Sequence, residues 1–295
     1  LVFYEEAYGD SLVTWLFSFY FKDVSMKKRS SNLSVLKKYG AIAAVTSAVA
    51  FLPTQAFAGA AHTEANLNVV GAALAVATTD TLAIGNDFTK TDANDAATLD
   101  GVTTTTIAAG KKVTHTGAAN IFSSVATTAG NIKLTNEGVL TVNAGQQVLN
   151  LAAMHAGATV EIINKGDAEM KHAAGAPVGV LITTQDARNV TLTNQDKAKI
   201  LGHVVLGSAH AGGGAHTVNL SGTSEMKNLT LGDNAAGASA VNVTGEATVG
   251  NIIYGTGTHN LTFAGTGADK KVTVGNITSG AAGVSVLDFT NATAG

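Results

Sequence analysis

The chain has 295 residues, of which 21 are acidic and 18 are lysine or arginine, so its formal net charge is −3. A mildly acidic chain does not attract phosphate backbones, which argues against a nucleic-acid partner. The sequence contains no cysteine, which excludes a disulfide scaffold and thiol chemistry.

The segment 1–25 differs in composition from the rest of the chain. It holds eight of the 16 aromatic residues (10 Phe, 5 Tyr and 1 Trp), and the composition changes sharply at Met26. We interpret residues 1–25 as upstream sequence or a misplaced start that lies outside the fold. A membrane-interacting prefix is the alternative, and its acidic residues Glu5, Glu6 and Asp10 disfavour it.

Residues 26–58 have the pattern of a secretory signal peptide. A basic head precedes the uncharged apolar run Ala41–Leu52, which is too short to remain as a membrane-spanning helix. Ala56 and Ala58 then place small residues where a signal peptidase reads the chain, with Gly59 next. An amphipathic core helix would interleave charges with apolar residues, whereas this segment separates them. We therefore expect an exported protein whose mature chain begins at or near Gly59.

From about residue 66 onward, short alternating segments recur and end in Gly, Asn or Asp. Val, Ile and Leu alternate in them with Thr, Asn and Lys, which is the pattern of half-buried β-strands. Only Gln147–Ala156 offers a possible helix. High charge and few β-branched residues mark disorder, and this chain has the reverse. The segments are Lys112–Gly117, Asn131–Gly138, Val139–Gly145, Thr159–Gly166, Asn189–Asn194, His216–Gly222, Asn228–Gly232, Val241–Gly245, Asn260–Gly265 and Lys271–Gly275.

The segments also keep a longer spacing of about 20 to 30 residues, which predicts a solenoid. Residues 59–295 are expected to form an all-β, right-handed parallel β-helix, with Val, Ile and Leu side chains such as Ile162 and Leu192 inside. Roughly ten coils stacked about 4.8 Å apart would give a rod about 50 Å long. A two-sheet sandwich is the alternative, because short strands with regular turns also describe that class.

Three of the segments end in asparagine, at Asn136, Asn164 and Asn194, and these positions are almost evenly spaced along the chain. In stacked coils these side chains could form a ladder of amide hydrogen bonds along the axis. Ordinary turn chemistry explains the same residues equally well.

Two groups of polar residues could carry chemistry. Asp80, Asp87, Asp92, Asp95 and Asp100 lie in a turn-rich region and could bind calcium only if they converged, so a solvated acidic loop is the preferred interpretation. His203, His210 and His216 flank the glycine run 212–214 with spacings that do not match a compact zinc motif. A flexible surface loop is the preferred interpretation of this second group.

Catalysis finds little support in the sequence. Ser208 and Ser221 lie near the histidines, but no nucleophile-elbow motif accompanies them. A polysaccharide-cleaving groove needs basic and aromatic residues, and after residue 58 the chain has one arginine, Arg188. Its aromatic residues there are Phe88, Phe122, Tyr254, Phe263 and Phe289. We therefore expect no enzyme activity, no catalytic residues, no metal and no cofactor.

The signal ending AFAGAA at 56–61, AAGKKVTHTG at 108–117, VLTVNAG at 139–145 and VTVGNITSG at 272–280 carry a resemblance. In these segments the chain resembles bacterial autotransporter passengers, specifically the outer membrane protein B-like surface cell antigens of rickettsiae. The resemblance implies export to the outer membrane of a Gram-negative bacterium and display of a β-helical passenger. It also implies a carboxy-terminal membrane barrel, so we expect this chain to be an amino-terminal fragment.

The function expected from these observations is adhesion to host cells or a surface-layer-like coat. The partners would be a host cell-surface receptor or neighbouring copies of the protein. A β-helical polysaccharide-degrading enzyme is the alternative from another class, and a secreted surface-layer subunit without a barrel is the third. A downstream reading frame that encodes a barrel would distinguish the first from the other two.

Overall fold

The computed structural model describes residues 59–67, 72–101, 103–125, 130–154, 158–176, 178–184, 189–207, 215–232, 234–264, 271–279 and 284–288. All of them belong to one compact unit, Phe57–Gly295. The predicted upstream segment 1–25 and the signal segment 26–58 lie outside the described residues, as do Ala56 and Ala58. Gly59 is the first residue described.

The described residues are almost entirely β-structure, with one short helix. The helix α1 is Glu64–Leu67. The strands are β1 Ala61–Thr63, β2 Leu74–Val76, β3 Thr81–Ile84, β4 Phe88–Lys90, β5 Ala97–Leu99, β6 Thr103–Ile107, β7 Lys112–His115, β8 Phe122–Ser124, β9 Asn131–Asn136, β10 Val139–Val142, β11 Leu149–Asn150, β12 Thr159–Asn164, β13 Glu169–His172, β14 Val180–Thr184, β15 Asn189–Asn194, β16 Lys199–Leu206, β17 His216–Leu220, β18 Glu225–Leu231, β19 Asn234–Thr244, β20 Thr248–Tyr254, β21 Gly257–Ala264, β22 Thr273–Val274, β23 Ile277–Ser279 and β24 Val284–Asp288.

All recorded strand pairs are parallel, and the strands form two sheets. Sheet A contains ten strands in the order β1-β3-β6-β9-β12-β15-β17-β19-β21-β24. Sheet B contains the other fourteen. Because each strand of sheet A pairs with the strand one coil further along the chain, the fold is the predicted parallel β-solenoid, and a sandwich of antiparallel hairpins is wrong. Its right hand remains the expectation set by the chirality of parallel crossovers.

Sequence alternation explains which side chains are inside. In β12 the residues Val160, Ile162 and Asn164 are buried, and the intervening residues are partly exposed. The register of sheet A places Leu134, Ile162, Leu192, Val218, Val241 and Leu261 in one inward column. Every member of that column is buried. The prediction that Ile162 and Leu192 point inward is confirmed.

The asparagine ladder is also confirmed. Asn136, Asn164 and Asn194 are fully buried at the end of β9, β12 and β15. The Asn136 Nδ2 donates to Asn164 Oδ1 at 2.8 Å, and the Asn164 Nδ2 donates to Asn194 Oδ1 at 2.8 Å. Turn chemistry contributes as well, because Asn136 Oδ1 accepts a bond from the Gly138 N–H at 3.1 Å. The two interpretations therefore describe the same side chains.

The number and length of the sheet B strands in each coil change along the solenoid. In the earlier coils each turn adds two short strands separated by a corner, as β10 and β11 are by residues 143–148. The longer strand β16 pairs with both β13 and β14, and its register shifts between Ile200 and His203. In β16, β18 and β20 one continuous strand spans the corner, and in the last described coil it again separates two short strands, β22 and β23.

The possible helix at Gln147–Ala156 is wrong over its described residues 147–154, because β11 occupies Leu149–Asn150. Leu149 and Leu151 are buried in the core of the coil, so tertiary stacking overrides the weak local helical pattern. Within the part of the chain that the structure describes, no helix is long and apolar enough to cross a membrane.

Candidate functional site

The outer face of sheet A is the candidate binding surface, and two outward rows of side chains define it. The rows run along the solenoid axis, because each position recurs in the same register from strand to strand. The first row is Thr104, Lys133, Glu161, Thr191, Thr217, Ala240 and Asn260. The second is Thr106, Thr135, Ile163, Thr193, Asn219, Asn242 and Thr262.

Charges in the outer face of sheet A are compensated within it. The Lys133 Nζ lies 2.7 Å from Glu161 Oε2, between adjacent coils. Just beyond the ends of the strands, the Lys165 Nζ lies 3.0 Å from Glu137 Oε1. Each pair joins neighbouring coils, so the face presents mainly hydroxyl and amide groups to solvent.

Side-chain amides on the outer face also bond between coils. The Asn242 Nδ2 donates to Asn219 Oδ1 at 2.9 Å, and both side chains are half-buried. This bond has the same chemistry as the buried asparagine ladder but lies on the solvent side of the sheet. Ordered amide and hydroxyl groups at a spacing of about 4.8 Å can bind many similar groups of a partner at once.

The outer face of sheet B has a different composition. Lysine and glutamate alternate along one outward column, in which Glu169, Lys199 and Glu225 occupy register positions in β13, β16 and β18. Lys171 pairs with Glu169 within β13, and Lys227 pairs with Glu225 within β18. The two outer faces are therefore chemically distinct.

The aromatic side chains that the structure describes do not form a groove. Phe88, Phe122, Tyr254 and Phe263 are buried inside the coils, and Phe289 and Arg188 lie outside the described residues. Stacking against a sugar ring requires an exposed aromatic face, so these four residues serve the core.

The acidic group does not converge on one point. Asp87 Oδ1 accepts a bond from the Lys112 N–H at 3.0 Å, and Asp95 Oδ1 accepts one from the Asn120 N–H at 2.8 Å. Asp92 pairs with Lys90 at 3.2 Å. Each of these three carboxylates therefore has its own partner within the solenoid. Among the described residues no cluster of three or more His, Asp or Glu could hold a metal ion.

Asp80 instead organises the first coil. Burial raises the pKa of its carboxyl, but hydrogen bonds from His62 and from the N–H groups of Ala77 and Ala60 outweigh burial, so the pKa lies below its usual value. The His62 Nε2 lies 3.1 Å from Asp80 Oδ2. These contacts hold β1 against the turn before β3.

Of the three histidines predicted to flank a loop, the two that the structure describes lie in different sheets. His203 is partly exposed in the irregular part of β16, and its ring lies within 3.2 Å of the Asn228 amide. His216 is fully buried at the start of β17. His210, Ser208 and the glycine run 212–214 lie outside the described residues, and Ser221 is in the turn after β17.

Sequence reasoning missed two polar arrangements. One is at the corner of the earlier coils, where the Gln147 N–H donates to Asn120 Oδ1 at 2.9 Å and the Asn120 N–H in turn donates to Asp95. The other is an inward column formed by His216, Ser239 and His259. A fixed coil-to-coil spacing does not group the second set, because the steps between its members along the chain are unequal.

No family model, curated protein or solved structure matches the chain. The structure itself shows a parallel β-solenoid.

Proposed function

We propose that the chain is an exported cell-surface protein, the passenger part of an autotransporter, that adheres to host cells or packs into a surface-layer-like coat. It would act at the outer membrane of a Gram-negative bacterium. A host-cell receptor or neighbouring copies would be the partner, and no catalytic step is involved.

The observation that carries the proposal is the outer face of sheet A. It repeats small hydroxyl and amide side chains over successive coils, and its lysine and glutamate residues are paired with each other. Repeated weak contacts along such a face add up through effective concentration. A surface of this kind suits extended contact with a glycan or protein layer better than capture of one small molecule.

The test is binding of the purified chain to host cells and to bacterial surface material. Wild-type protein should bind, and presenting several copies on a bead should increase the apparent affinity by about 100-fold or more. A face variant with Thr106, Thr193 and Asn260 replaced by lysine should lose most of this gain. Absence of binding in both assays would contradict the proposal.

A matched control variant tests whether the loss of binding is specific to the outer face of sheet A. Lysine at Thr114, Thr141 and Thr230 places the same charges on the outer face of sheet B, where these residues are partly exposed. This variant should bind like the wild type. Equal loss in both variants would show that charge alone, and not the outer face of sheet A, determines binding.

The alternative function, a β-helical polysaccharide-degrading enzyme, is tested with the same material. Incubation with pectin, alginate and other acidic polysaccharides should leave their chain length unchanged. Metal-dependent depolymerisation of any of them would replace the adhesion proposal with the enzymatic one.

A further inference from the structure

Three polar residues follow one another along a single inward column of sheet A. The register that pairs Thr217 with Ala240 places His216 beside Ser239, and Ser239 pairs with His259 in the next coil. All three side chains are fully buried. The preceding member of the column is the buried Val190, so the histidines begin where an apolar column ends.

The His216 side chain is fully buried and closely packed. Neither of its ring nitrogens has a hydrogen-bond partner among the described residues. A Cβ atom built on Gly207 would collide with its Nε2, so the imidazole packs directly on that backbone. A buried polar group without a partner is costly and calls for an explanation.

Among the described residues, the charged groups around the column offer no compensation for a protonated imidazole. In sheet A, the strands β15, β17, β19 and β21 contain no acidic residue, and Asp288 of β24 lies at an outward register position. In sheet B, the ionisable Lys199 and His203 of β16 and Glu225 and Lys227 of β18 alternate with the buried residues and are at least partly exposed. The titratable rings that share the interior are His259 and Tyr254, whose centroids are 5.1 Å apart.

Protonation of His216 therefore conflicts with the closed coil. Burial, and to a smaller extent the nearby His259, lower the pKa of His216 to about 4. An imidazole exposed by opening has its ordinary pKa near 6.5. Because the folded pKa is the lower one, the closed form is favoured above about pH 6.5 and loses stability as the pH falls toward 4.

We propose that the column His216, Ser239 and His259 is an acid-sensitive switch that opens the coils from β17 to β21 while the coils from β9 to β15 stay closed. The open coils expose the inner edges of the sheet and the apolar side chains that the column covers. This function is separate from the adhesion proposed above, since it needs no partner.

Hydrogen exchange of the full chain, followed by mass spectrometry at pH 7 and pH 5, tests the switch. Protection factors corrected for the intrinsic exchange rate should fall roughly 20-fold in peptides from 216–263, from the titration of one histidine. Peptides from 131–164 should change little. An equal change in both regions, or none in 216–263, would overturn the proposal.

Two variants assign the effect to the column. His216→Leu removes the titrating ring and should abolish most of the pH dependence in 216–263. His203→Gln alters a partly exposed histidine of the neighbouring sheet and should leave it intact. If His216→Leu does not fold, His216→Gln serves the same purpose, because the amide does not titrate. Undiminished pH dependence in a folded His216 variant would refute the switch.

Discussion

Two regions of sheet A bury polar side chains in opposite ways. In the coils from β9 to β15, Asn136, Asn164 and Asn194 bond to each other along the axis at 2.8 Å. In the coils from β17 to β21, His216, Ser239 and His259 also share one column. There His216 has no hydrogen-bond partner for its ring among the described residues.

The difference follows from the geometry of the side chains. An asparagine amide carries a donor and an acceptor that can point up and down the axis, so identical residues one coil apart satisfy each other. The last amide of the ladder is also satisfied, because Asn194 Nδ2 donates to the Glu225 carbonyl at 3.0 Å. A column that alternates imidazole with a short hydroxyl has no such repeat. The same sheet therefore contains one polar column whose side chains satisfy each other and one in which the His216 ring is buried without a hydrogen-bond partner among the described residues.

The largest effect is expected in the apolar column that both regions share. Ile162→Asp and Val241→Asp each place a carboxylate at a fully buried position. Each should cost about 5 kcal/mol or more of unfolding free energy, because an unpaired buried charge is among the most destabilising changes known. Chemical denaturation monitored by circular dichroism measures the loss.

The neighbouring Ile163 provides the control for this prediction. Ile163 is an outward, partly exposed residue of β12, so Ile163→Asp should cost less than about 1 kcal/mol. Comparable losses for Ile162→Asp and Ile163→Asp would show that the assigned inward and outward faces are wrong.

The next effect concerns the asparagine ladder. Asn164→Leu removes both amide bonds and leaves the Asn136 Nδ2 and the Asn194 Oδ1 without that partner. Two buried polar groups left unsatisfied should cost about 3 to 5 kcal/mol. The loss should appear as a lower denaturation midpoint and as faster hydrogen exchange in β9, β12 and β15.

Asn242→Leu is the matched change on the solvent side of the sheet. It removes an amide bond of similar length, 2.9 Å to Asn219, from a partly exposed site. Water can replace that bond, so the expected cost is below about 1 kcal/mol. Equal costs for the two leucine variants would mean that burial does not distinguish the ladder from the outer pair.

The sequence predicts the solenoid because its main signal is local and periodic. Alternation in segments such as 159–164 defines the strands, and the spacing of Asn136, Asn164 and Asn194 defines the coils. The secondary structure of Gln147–Ala156 is ambiguous from the sequence. The stretch contains the end of a corner and the two-residue strand β11, and both are too short to show the alternation of a strand.

The histidine column could not be predicted in the same way. The coils around it differ in length, since the step along the chain from Val190 to its partner His216 is longer than the step from Ser239 to its partner His259. The register shift between Asn234 and Ala238 accounts for part of the difference. Such a shift exchanges inward and outward positions, and only the pairing of the strands shows where it falls.

The smallest expected effect concerns Gly207, on whose backbone the His216 ring packs. Gly207 and Gly110 both have a positive φ, +68° and +71°, which alanine adopts only with strain. Gly110→Ala has open space around the new methyl group, so it should cost about 1 kcal/mol from strain alone. Gly207→Ala adds a collision with the His216 ring and should cost about 2 to 3 kcal/mol. The excess should disappear when His216→Leu is combined with Gly207→Ala, because the more flexible side chain can move away. A double-mutant cycle from denaturation midpoints measures this coupling, and additive losses would show that His216 does not pack on Gly207.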